Sequence, residues 1–237
     1  MSKTSGGFLG HIACGAAVLG AALLFTGQAH AVDFGVGLIG QAGGNFIGKP
    51  DRSAGQADVN PGFGGVTIGG GLMLEARLIP LLGIEVDVLR TSDKGKGSVS
   101  FNGNKSDVTI GQGAWHVPVL AKLVIPSPLI APTFVLGPEF VFPSDPHTDV
   151  SPSINSAVFS NFNEKYVMIT GGVGLEVKLP LPVIDLRIPV GLRVSYNPSA
   201  PSSYTDTTKF ATNGAAISYS SEWKFAVSLT AGAALYF

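Results

Sequence analysis

The run EWKFAVSLTAGAALYF, Glu222 to Phe237, alternates apolar and polar or small residues until the sequence stops on an aromatic. Val227, Leu229, Ala231, Ala233, Leu235 and Phe237 fall on one parity; Ser228, Thr230, Gly232, Ala234 and Tyr236 fall on the other. A repeat of two is the signature of a β-strand whose faces meet different surroundings. A strand this long, kept in phase to its final residue, needs a partner on each side and two environments to separate.

The same repeat recurs seven times upstream. Expected strands are Asp33–Gly43, Gly65–Leu78, Ile84–Arg90, Gly113–Ile125, Thr133–Phe142, Tyr166–Leu179 and Ile184–Tyr196, before Glu222–Phe237. Pro118, Pro138 and Pro189 lie inside these runs, and each removes a ladder donor. The connections alternate in kind. Ile79–Gly83, PSPLIAP and PLPV are short and Pro-rich. Gly44–Gly64, Thr91–Gln112, Pro143–Lys165 and Asn197–Ser221 are long and polar. Eight up-and-down strands with all long loops at one end produce this order, with both termini at the other.

Composition agrees with an unusual solvent. Charged residues make up 13 % of the 237-residue chain, against about 25 % in ordinary soluble domains. Glycine is abundant, at 32 residues. Beyond the N-terminus no run of about 18 apolar residues offers a spanning helix. Residues 1–31 read as a cleaved signal peptide: Lys3, an apolar core from Ile12 to Phe25, and an Ala29-His30-Ala31 cleavage triplet. The only cysteine, Cys14, lies within that core, so the expected mature chain, 32–237, has no disulfide and no thiol chemistry.

Charge parity sharpens the reading. Asp33, Glu75, Arg77, Glu85, Asp87, Lys122, Glu139, Glu176, Lys178, Asp185, Arg187, Arg193 and Lys224 all fall opposite the apolar set of their own strand. Only Arg90 breaks phase, where the third strand is expected to give way to a loop. The apolar parity also carries Phe34, Trp115, Phe142, Tyr196, Trp223 and Phe237 near strand ends, as an interfacial girdle does. A soluble sandwich or lipocalin also alternates. Segments of a dozen residues, loops segregated to one end and the aromatic girdle favour a membrane barrel instead. In lipid the sheet must close. The expected fold is an all-β, eight-stranded antiparallel up-and-down transmembrane barrel, its narrow interior filled by paired charges with small glycines beside them.

Three stretches carry a family resemblance: HVPVLAKL (His116–Leu123), FVLGPEF (Phe134–Phe140) and the C-terminal strand. The mature chain resembles the small outer-membrane β-barrels of the "porin family", related to the membrane domain of outer-membrane protein A and to outer-membrane protein X. The resemblance implies the outer membrane of a Gram-negative cell, with its lipid and lipopolysaccharide as surroundings. It also implies a final-strand signal read by the barrel-assembly machinery, which Thr230, Gly232, Leu235 and Phe237 would fill. No periplasmic peptidoglycan-binding domain follows in this sequence, so a wall-tethering role is not carried over.

Catalysis finds little support. His116 is on the inward parity without an adjacent serine or aspartate in its strand, and is expected to be a satisfied lumen histidine. Asp145, His147 and Asp149 alternate in PSDPHTDV; carboxylate and imidazole suit weak cation binding, but a solvated loop explains them as well. The glycine-rich stretches lack the Lys-Ser/Thr and following helix of a phosphate loop. No enzyme activity, cofactor, metal or nucleic-acid partner is expected, and a self-closed barrel suits a monomer. Two roles stay open: a closed barrel displaying four long loops for structural or surface interaction, or a narrow passive channel for small polar solutes.

Overall fold

Period-two sequence becomes strand because alternate side chains leave opposite faces of a pleated backbone. A computed structural model of the chain describes residues 32–46, 57–101, 104–144, 147–151, 161–162, 165–180, 185–200, 210–211, 214–215, 219–220 and 223–237. The expected signal peptide lies outside them. Eight strands form the barrel: β1 (Asp33–Phe46), β2 (Ala57–Ile79), β3 (Leu82–Phe101), β4 (Asn104–Val124), β5 (Ile130–Pro143), β6 (Tyr166–Pro180), β7 (Asp185–Tyr196) and β8 (Phe225–Tyr236). Each pairs antiparallel with its sequence neighbours, and β1 pairs with β8 from Gly35↔Tyr236 to Phe46↔Phe225, which closes the sheet. Phe34 and Phe237 exchange backbone hydrogen bonds of 3.0 and 3.3 Å at the seam.

The prolines are accommodated in register. The β3–β4 pairing is interrupted beside Pro118, between Val86↔Val119 and Leu89↔His116, yet resumes with unchanged offset. Pro138 coincides with a gap against β4 and Pro189 with one against β8, while Pro138↔Ile169 and Pro189↔Glu176 pair normally on the other side. Each missing N–H therefore faces one neighbour only, and the closed sheet keeps its alignment.

Two sequence expectations need correction. The Thr91–Gln112 segment is not an irregular loop: β3 and β4 run on past the barrel as one hairpin, with Phe101 paired to Asn104. Only Asn102-Gly103 joins them, the dipeptide most favoured in two-residue hairpins. Residues 57–60 of β2 pair with the outer part of β3, and the short strand His147–Ser151 pairs with 107–111 of β4. A β-bulge between Asn60 and Gly64 marks where β2 leaves the barrel. Much of the first three long connections is thus a hydrogen-bonded sheet projecting from one end.

Burial is inverted relative to a soluble protein. Leu38, Val66, Ile68, Leu72, Leu136 and Leu229 are exposed, Leu38 at 67 %, whereas Lys122, Glu176 and Asp87 are fully buried. Met73 and Leu89 join Ile39, Ala234 and Tyr236 in a small apolar cluster on the inward face. A contiguous apolar exterior of this extent is rare on soluble monomers.

Candidate functional site: the ion-paired lumen

Eight strands leave a lumen only wide enough for side chains, and its inward glycines sit where a Cβ would not fit. A Cβ on Gly71 would stand 1.8 Å from the Val88 carbonyl oxygen, and one on Gly35 would stand 2.6 Å from the Tyr236 ring. The space left at Gly35 seats the phenol ring against two guanidinium groups, 5.3 Å from Arg77 and 3.8 Å from Arg187. Tyr236 Oη also donates to Glu75 Oε2.

Around this ring runs one connected set of ion pairs. The Lys122 ammonium contacts three glutamates: Glu75 at 2.6 Å, Glu85 at 2.8 Å and Glu176 at 3.5 Å. Arg77 bridges Glu75 (2.7 Å) and Glu176 (3.0 Å). Arg187 extends from Glu176 (3.4 Å) to Asp185 (2.6 Å) and Asp33 (3.6 Å), whose side chains are 41 % and 44 % exposed at the short-turn rim. Arg193 closes the other side on Glu85 and Asp87, 2.6 Å each. Leaving out the two solvated rim acids, four buried carboxylates (Glu75, Glu85, Asp87, Glu176) face four buried cations. Charge balance and multiple hydrogen bonds per group are what make such burial tolerable.

Not every expected member joins. Lys178 donates instead to the Ser127 carbonyl at 3.1 Å, at the short-turn end. Lys224 is half-buried before β8 and is outside the network among the described residues. Glu139 belongs to a separate cluster farther toward the long connections: it takes His116 Nδ1 at 2.5 Å, Ser195 Oγ at 2.9 Å and the Thr170 hydroxyl. This histidine–glutamate–hydroxyl group escaped the sequence because its members sit on four different strands. It is not a catalytic triad. Both hydroxyls donate to the carboxylate rather than to the imidazole, and the group is buried in the lumen.

Trp223 is a second correction. It was expected outward in the girdle, but it is 5 % exposed and lies inward, its ring 3.0 Å from where a Gly65 Cβ would be and 3.2 Å from one on Gly95. It precedes β8, so strand alternation does not bind it, and the two glycines make its seat. Beneath it Asp93 is buried and faces Thr67, Trp223 and Asn45, but makes no hydrogen bond of ordinary geometry with them. Two voids in the lumen measure about 30 Å³, beside Glu85, Lys122 and Arg193, and about 20 Å³, beside His116 and Glu139. Each is large enough for a water or two.

Outside, Trp115, Phe142, Tyr196 and Phe237 are exposed as a girdle requires. Phe46 and Phe225, also exposed, join them with ring centroids 6.3 Å apart. Of the Asp145-His147-Asp149 motif, Asp145 is outside the described residues; His147 and Asp149 pair through their backbones with Gly111 and Thr109. No cluster of metal-ligating residues occurs among the described residues.

No protein-family model matches the chain, and no curated protein matches it. Among solved structures, Ail, the attachment invasion locus protein of Yersinia pestis, is similar with a TM-score of 0.40 and 10 % identity, covering 87 % of this chain and 99 % of that one. The same protein in complex with the heparin analogue sucrose octasulfate is similar with a TM-score of 0.39 and 9 % identity, at 87 % and 99 % coverage.

Proposed function

We propose that this chain is a barrel of the bacterial outer membrane whose interior is closed by ion pairs and whose outer sheet and loops serve surface interaction. One observation carries the reading: large apolar side chains ring the outside while a lysine and three glutamates meet in the buried interior. Lipid is the solvent that makes this arrangement stable, since water would reward its reverse. The strands are also long enough, from 12 to 23 residues, against the 9–11 that a tilted spanning strand needs. Removal of residues 1–31 and recognition of Thr230, Gly232, Leu235 and Phe237 by assembly machinery belong to the same proposal. So does the absence of catalysis.

The channel alternative needs a continuous polar path. The lumen charges are instead of both signs and in mutual contact, whereas solute pores keep open water along a lining. Liposome swelling with small sugars and amino acids separates the two roles. Swelling indistinguishable from empty liposomes is expected; solute-dependent swelling above that control would establish the channel.

A further inference from the structure

We propose that the buried Asp93 carboxylate holds a small monovalent metal cation in the upper lumen, together with the side-chain oxygens of Asn45 and Thr67. The site rests on the closed barrel and not on the role proposed for the outer sheet. Register builds it. Thr67 of β2 pairs with Asp93 of β3, which pairs with Gln112 of β4, so the three stand side by side on the inward face. Asn45 of β1 comes one inward step beyond Gly43, the partner of Thr67. All four residues are at most 5 % exposed.

Charge singles out Asp93. Six acids are buried among the described residues, and five of them meet a cation at 3.0 Å or closer: Glu75, Glu85, Asp87, Glu139 and Glu176. Asp93 is 1 % exposed, and neither of its carboxylate oxygens has a hydrogen-bond partner. The cations nearby are committed elsewhere or turned away. Arg193 is held by Glu85 and Asp87, and His116 by Glu139. Lys94 and Lys96 are exposed on the other face of β3, and half-buried Lys224 makes no ion pair with Asp93. A buried carboxylate needs a counter-charge, and here the described residues do not supply one.

A second orphan acceptor favours a metal ion over a proton. His116 Nδ1 lies 2.5 Å from Glu139 Oε1, which sets the proton there and makes Nε2 an acceptor in the neutral ring. That Nε2 is buried without a partner as well. A proton on Asp93 would cancel its charge but leave the neighbouring acceptors unmet, whereas a cation satisfies several at once. A cavity of about 20 Å³ supplies the space: it is lined by Asn45 and Thr67, the side chains that face Asp93, and by Gln41, Ser228, His116 and Glu139. That volume suits one occupant the size of a water. Trp223 roofs the site, its ring over Gly95, the next inward position of β3, and its N–H facing the same carboxylate.

Valence follows from the neighbours. One carboxylate with neutral oxygens is balanced by a single positive charge. A divalent ion would leave surplus charge beside Arg193 and His116, which line the same cavity. Magnesium is disfavoured further because it sheds its waters reluctantly. Neutral oxygens also make a cluster of acids and imidazoles unnecessary.

The test uses the mature chain refolded in neutral detergent, in a Trp115→Phe parent. The sequence has two tryptophans, so Trp223 becomes the sole indole reporter. Sodium chloride replaces choline chloride at constant ionic strength, which keeps screening unchanged. Trp223 emission is expected to change saturably with sodium, and Asp93→Asn to abolish the change. At ten times the half-saturating sodium concentration, the temperature at which the folded band is lost should rise by about 3–5 °C over choline. Asp93→Asn should bring that rise below about 1 °C. A parent that responds alike to sodium and choline overturns the site whether or not the variant folds, and so does a sodium response that survives in Asp93→Asn. Emission that follows pH in choline and ignores sodium assigns the counter-charge to a proton and overturns the cation. Calcium saturating the same response at lower concentration overturns the monovalent assignment. Without a heat-shifted band in the parent, the closed barrel fails and the site with it.

Discussion

Lys122→Met is expected to lower the stability of the folded barrel by about 3–5 kcal/mol, the cost of leaving buried charge without its partner. Among the described residues Lys122 is the one cation that touches three glutamates, and its side chain is 2 % exposed. Methionine fills the stem volume but returns no charge, so Glu75, Glu85 and Glu176 would face one another with only arginines to hold them. Adding Glu176→Gln to the same chain should recover part of the loss, because it returns the buried set to three carboxylates against three arginines. Lys178→Met supplies the control: among the described residues its ammonium donates to the Ser127 carbonyl alone, and the loss should stay within about 1.5 kcal/mol. Urea midpoints of the SDS-resistant band in detergent measure all three. Equal midpoints for Lys122→Met and wild type would mean that the lumen charges are solvated rather than paired.

Gly71→Ala is expected to prevent the barrel from closing, or to cost more than the 1–3 kcal/mol of ordinary overpacking. Its added methyl would stand 1.8 Å from the Val88 oxygen, 2.8 Å from the Val88 carbonyl carbon and 2.9 Å from Leu89 Cα. These are backbone atoms of β3, and Leu89 is held in turn by its pairing with His116 of β4, so no flexible side chain can move aside. Gly40→Ala is the matching control: its nearest neighbour would be 3.7 Å away, and replacing a strand glycine should be neutral or slightly stabilising. Refolding yield into lipid, read as the fraction of heat-shifted band, distinguishes them. Equal yields would place the strands farther apart at Gly71 than the barrel described here allows.

Much of the barrel is legible in the sequence, and the reason is parity. A period of two assigns each residue to a face without any knowledge of its neighbours, so Glu75, Lys122 and Glu176 could be turned inward from their own strands alone. Partners are another matter. That Lys122 meets Glu75, Glu85 and Glu176 depends on barrel curvature and on the offset between strands far apart in sequence. The same holds for Glu139, whose partners come from β4, β6 and β7. Trp223 misled because alternation was extended two residues past the strand that enforces it. The projecting hairpin is harder to read because its residues are mostly polar, with only Val99, Phe101, Val108 and Ile110 apolar, so the hydrophobic signal fades although the pairing continues. The short alternation of these four about Asn102-Gly103 is the local clue to that hairpin.

The central claim is that the apolar side chains of the barrel face lipid and the charges face one another. Gel mobility with and without boiling, performed on the outer-membrane fraction of cells producing the full chain, tests it most directly. The account predicts an SDS-resistant band in that fraction that shifts on heating, as a closed sheet buried in detergent must. A band in the soluble periplasm whose mobility is the same before and after boiling would contradict it.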